Sequence, residues 1–137
     1  MKRIVYIQLA VYFFILLISC KTREATFAGE SSQTGLTEIN DKSSEFTGKK
    51  VKLKGTFMGW SGIGCNYISL HAHQLMRSDW TFRDSDGYCI FVTGGKPDFL
   101  NPAEDKDTGR KILLDAMVKS TEAGKLYLEF ISCKTID

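Results

Sequence analysis

The segment Lys50-Val51-Lys52-Leu53-Lys54-Gly55-Thr56-Phe57 repeats with a period of two. Val51, Leu53, Gly55 and Phe57 fall on one side, and Lys50, Lys52, Lys54 and Thr56 on the other. This pattern predicts a strand with one buried and one wet face. Gly55 and Gly59 predict a bend or bulge, which lets a long strand curve around a small barrel. Lys49, Lys50, Lys52 and Lys54 form a basic stripe, which on an alternating strand is most simply a solvated face.

Working outward from this strand, Ser61-Gly62-Ile63-Gly64 reads as a loop, and Ile68, Leu70 and Ala72 alternate with Tyr67, Ser69, His71 and His73 as a short extra strand. Asp79-Trp80-Thr81-Phe82-Arg83 and Tyr88-Cys89-Ile90-Phe91-Val92 flank Asp84-Ser85-Asp86-Gly87, whose Asp-Gly step supplies the residues of a tight hairpin turn. The later ligands of a calcium loop are missing from that segment. Gly94 to Gly109 holds both prolines and several acidic residues, so it reads as a surface loop. Strands follow at Lys111 to Lys119, with Ile112, Leu114, Ala116 and Val118 on one face, and at Leu126 to Cys133, joined by Glu122-Ala123-Gly124-Lys125. Upstream, Leu36 to Phe46 predicts a short helix docked through Leu36, Ile39 and Phe46. Five principal strands with no long helix fit an all-β, five-stranded OB-like barrel. Phe57, Trp80, Phe82 and Phe130 are its expected large core residues.

The N-terminus predicts where this domain acts. Lys2 and Arg3 precede an apolar run from Ile4 to Ile18, interrupted only by Gln8, as in a secretory signal. Leu17-Ile18-Ser19-Cys20 resembles the lipobox of bacterial lipoproteins. The resemblance implies a signal peptide at 1–19 and Cys20 as the lipid-bearing first residue of the mature chain, with palmitate among its acyl groups. It also implies anchoring to a membrane of the bacterial cell envelope, facing outside the cytoplasm. Residues 20–35 then comprise the lipidated cysteine and a polar, flexible tether, and residues 36–137 the barrel domain. Loss of Lys2 and Arg3 takes the basic side chains from 18 to 16, equal to the 16 acidic ones. The 118 of 137 residues that remain suit a single core. A neutral exported domain has no global field to attract nucleic acid.

Gly48-Lys49-Lys50-Val51-Lys52-Leu53-Lys54-Gly55, Arg77-Ser78-Asp79-Trp80-Thr81-Phe82-Arg83-Asp84 and Gly87-Tyr88-Cys89-Ile90-Phe91-Val92-Thr93-Gly94 together resemble small exported or membrane-attached proteins of the nucleic-acid-binding OB superfamily. The resemblance implies a binding face on the second and third principal strands, flanked by the loops after the first and fourth. Trp60, Arg77, Thr81, Arg83, Phe91 and Tyr127 are the residues that could present there, aromatic rings for stacking and arginines for cation–π contact. A departure is the link between the third and fourth principal strands, where many OB folds insert a helix and this chain offers a loop. Arg77 and Asp79 have a structural reading too: paired, or bonded to loop backbone, they fix the entrance to the second principal strand.

Three cysteines follow Cys20. An oxidising envelope permits one disulfide among Cys65, Cys89 and Cys133, and spacing leaves three pairings open. A bridge from loop residue Cys65 to Cys89 is preferred, with three reduced, packed thiols as the alternative. His71 and His73 share a strand face and form a usable metal-ligand pair, but exposed histidines on an edge strand are commoner than a metal site. No cofactor is expected. No Gly-x-Ser-x-Gly elbow, phosphate-cradling glycine loop or His-Glu-x-x-His helix occurs, and nothing around Glu104 and Asp105 would raise a carboxyl pKa for acid catalysis. The expectation is a non-catalytic, lipid-anchored binding module whose partner is an envelope protein, peptide or glycan. The alternatives are an OB-fold nucleic-acid binder and a metal or thiol-redox accessory protein of the envelope.

Overall fold

The computed structural model describes residues 34–69 and 76–136. Cys20, the signal and tether up to residue 33, and the pair His71 and His73 lie outside the described residues. Two short helices, α1 (Leu36–Asp41) and α2 (Ser43–Phe46), precede β1 (Lys50–Gly59), β2 (Asn66–Tyr67), β3 (Trp80–Asp84), β4 (Tyr88–Thr93), β5 (Lys111–Ser120) and β6 (Leu126–Thr135). Antiparallel pairing joins β4 to β3, β3 to β1, β1 to β5 and β5 to β6. A parallel contact, Val92 with Leu128 and Thr93 with Glu129, closes the sheet. The fold is therefore an all-β, closed five-stranded OB-like barrel, with β2 as a short addition alongside β4.

Closure needs one face of each strand to be apolar. Leu53 and Phe57 of β1, Trp80 and Phe82 of β3, Ile90 and Val92 of β4, and Ile112 to Val118 at alternate positions of β5 all point into the core. Phe57 and Trp80 pack with centroids 4.8 Å apart and planes tilted by 38°, and the Trp80 indole N–H donates to the Gly95 carbonyl at 3.0 Å, so the polar edge of this buried ring is satisfied. Phe130, expected in the core, is only half-buried and lies edge-on to Trp80. Leu36 and Ile39 are fully buried and Phe46 packs beside the core, as the expected helix requires, although the helical segment is split in two.

Both β1 glycines have a physical reason. A Cβ at Gly55 would collide with the Phe82 ring and the Arg83 carbonyl. Gly59 has φ +58°, and the β1–β3 register shifts between Phe57 and Gly59, where the bend was expected. The outer face of β1 is less wet than alternation implies. Lys50, Lys52 and Lys54 are exposed, but Thr56 is buried and accepts a bond from the Lys111 ammonium at 3.1 Å. The Gly94 to Gly109 loop contains a single 3₁₀ turn, Asp105–Asp107.

Candidate functional site

The hairpin of β3 and β4 is set by its turn. Asp84 is buried, and its Oδ1 accepts the backbone N–H groups of Asp86 and Tyr88 at 3.0 and 2.9 Å. Its Oδ2 accepts the Leu36 N–H at 3.0 Å, which fastens α1 to the same turn. The cleft beside it, about 300 Å³, is lined by Asp84 itself together with Thr34, Glu38, Lys54 and Asp86 among others.

This turn fixes the register Thr81 opposite Phe91 and Arg83 opposite Cys89. Because Trp80, Phe82, Ile90 and Val92 point inward, these four side chains share the outer face. Three residues expected at a binding face, Thr81, Arg83 and Phe91, are thus brought together. Arg83 and Phe91 are partly exposed, but Thr81 is only 1% exposed.

The cover over Thr81 comes from β2. Asn66 and Tyr67 run parallel to β4, in register with Tyr88 and Cys89, and the Ile68 N–H donates to the Cys89 carbonyl at 3.0 Å. The Tyr67 ring stacks on Phe91 at 4.8 Å and 23°, and its hydroxyl is 3.0 Å from Thr81 Oγ1. Cys65 and Cys89 form a disulfide with Cα atoms 5.5 Å apart, within the usual range for a bridge. Ser69, also buried, accepts the Leu126 N–H at 2.9 Å and so ties the segment to β6. Residues 65–69 thus lie along the edge of β4 that β6 leaves unpaired.

The remaining candidates sit elsewhere. Trp60, 51% exposed, follows β1 and donates its indole N–H to the Asp79 carbonyl at 2.9 Å. Arg77 is exposed in the turn entering β3. There Asp79 bonds loop backbone, its Oδ2 accepting the Met76 N–H at 2.8 Å, while its own N–H donates to the Met76 carbonyl at 2.9 Å. Trp60 and Arg77 therefore flank one end of the β3–β4 face. Tyr127 lies apart on β6, in register with Lys119.

Tyr67 was not among the residues expected at the site, although a signal for it exists. Cys65-Asn66-Tyr67 and Cys89-Ile90-Phe91 share a Cys-x-aromatic spacing, and a bridge between parallel segments so spaced sets the two rings side by side.

The titratable groups offer little chemistry. Burial, and secondarily the Asp115 carboxylate, pushes the free Cys133 thiol up to about 11, which keeps it protonated and a weak nucleophile. Glu104 is held below the usual carboxylate range by its hydrogen bond from Lys106 and then by Asn101, the opposite of what a general acid needs. Among the described residues, no three His, Cys, Asp or Glu side chains gather as metal ligands. Also among the described residues, no helix is long and apolar enough to cross a membrane. Compared with protein-family models and with curated proteins, the chain matches none.

Proposed function

We propose that this chain is a lipid-anchored binding module of the bacterial cell envelope, related to the exported OB-fold proteins, acting on an envelope protein, peptide or glycan and carrying no catalytic centre. The observation that carries this reading is the Cys65–Cys89 bridge, since structural disulfides persist mainly in oxidising, extracytoplasmic compartments. The lipobox residues Leu17 to Cys20 at the end of an apolar run point the same way. The chemistry of the barrel favours binding over catalysis. Asp79 and Asp84 spend their carboxylates on backbone amides, and Cys133 is held as a protonated thiol. Partly exposed Arg83 and Phe91, with Trp60 and Arg77 at the margin, supply cation–π, stacking and hydrogen-bonding groups suited to a peptide or glycan.

The test is metabolic lipid labelling of the native chain and of Cys20→Ala, followed by crosslinking in the membrane. Loss of label with release of Cys20→Ala from the membrane supports the anchor, whereas unchanged processing and retention would remove it. Crosslinks to an envelope protein or glycan support the module. A salt-sensitive oligonucleotide shift would favour the nucleic-acid reading instead.

A further inference from the structure

We infer that residues 65–69 are a disulfide-pinned cover, which an external dithiol opens to uncover the aromatic face of β3 and β4. The inference deepens the binding-module reading and rests on it. The face beneath the cover offers a ring, Phe91, and a hydroxyl, Thr81, and Tyr67 occupies both at once by stacking on the first and hydrogen bonding to the second. Tyr67 is thus an internal stand-in for a ligand, and the ligand class it marks is an aromatic side chain with a hydrogen-bonding edge, as on a tyrosine-bearing peptide.

Without the bridge, only a few contacts among the described residues hold the cover. Its ladder is two residues long, and isolated pairings of that size are marginal in water. What else ties it down is the Ile68 amide bond, the Tyr67 hydroxyl, the ring stack, the Ser69 oxygen and the partial packing of Ile68 on the core. The bridge spans a sequence separation of 24, and a crosslink over such a loop restricts the open state strongly.

The two sulfurs differ in access. Cys89 is fully buried and Cys65 only partly so. A thiolate of the dithiol attacks Cys65 Sγ and forms a mixed disulfide. The Cys65–Cys89 bond breaks, and the Cys89 sulfur leaves with the electron pair and takes up a proton. The second thiol of the dithiol then displaces Cys65, so the reductant ends as its own disulfide and two protein thiols remain. Any dithiol oxidoreductase of the envelope has this chemistry.

The experiment compares amide hydrogen exchange of the full chain, oxidised and after treatment with dithiothreitol. The Ile68 and Leu126 amides, bonded to Cys89 and Ser69, should exchange about tenfold faster or more on reduction, while Phe57 in β1, bonded to Arg110, keeps its rate. Equal rates at Ile68 would overturn the cover, and so would equal acceleration of Phe57, since the bridge would then staple the whole barrel. A second variant avoids reduction altogether. Oxidised Tyr67→Ala should bind the aromatic dye anilinonaphthalene sulfonate several-fold better than the oxidised wild type, and Tyr67→Ala/Phe91→Ala should not; no gain in the single variant counts against the face. Loss of lipid labelling would remove the envelope reading and leave these results standing, and the converse holds equally.

Discussion

The two connections of β3 are built on different principles. At its C-terminal end, a tight turn from Asp84 to Gly87 is held by a single carboxylate that accepts the neighbouring amides of Asp86 and Tyr88 and, from α1, that of Leu36. On its N-terminal side, residues 65–69 are fixed by a disulfide, a ring stack and side-chain bonds to β3 and β6. The first is a part of the scaffold whose turn is encoded by its own neighbouring residues, with α1 fastened onto it. The second depends on a disulfide that reduction can open and on contacts that displacement can release, and it lies over the outer face of β3 and β4.

Cutting the local connection should cost most. Asp84→Ala leaves three buried or half-buried amides without their anionic acceptor, and a loss of about 4 kcal/mol is expected in denaturant unfolding. A loss below about 1 kcal/mol would show that water replaces the carboxylate. Removing the long-range staple should cost slightly less. Cys65→Ala/Cys89→Ala should lower stability by about 3 kcal/mol while the far-ultraviolet circular dichroism of the barrel is kept. Collapse of that spectrum would make the bridge a part of the scaffold and erase the contrast.

That contrast also explains what could be read from residue order. The Asp84 turn, the alternation of β5, the bend at Gly55 to Gly59 and the inward rings of β3 follow from local chemistry, and all are present. Thr81 lies on the outer face of β3 yet is buried, because alternation says which way a side chain points and nothing about what lies over it. Phe130 ends up half-buried because it sits where β6 passes the closing pair with β4 and turns into a bulge opposite Ala116. The role of Tyr67 was hidden for a similar reason. A two-residue parallel pairing has no period of its own, and the excursion reaches β4 across an intervening strand in sequence.

Smaller effects sharpen the account at the entrance to β3. Asp79→Ala removes the acceptor for the Met76 amide, so a loss of about 1.5 kcal/mol is expected in the thermal melt. An unchanged melt would move Asp79 from a turn-fixing role to a contact role. Least of all should Cys133 matter near neutral pH. Its raised folded pKa means the neutral thiol is the form that fits. Its contribution is complete below the usual thiol value of 9.0 and is lost as pH climbs towards about 11. Alkylation by iodoacetamide at pH 8 should therefore be at least about tenfold slower than for an unfolded cysteine, and equal rates would mean that the thiol is wet.

The most direct test of the central claim is the intact mass of the chain extracted from bacterial membranes without reductant. An exported, lipid-anchored, bridged barrel predicts loss of residues 1–19, acyl groups added at Cys20, and a mass lower by the two hydrogens of one disulfide, with Cys133 still free to alkylate. A chain that retains Met1 to Ser19, carries no lipid and has three alkylatable thiols after Cys20 would contradict it.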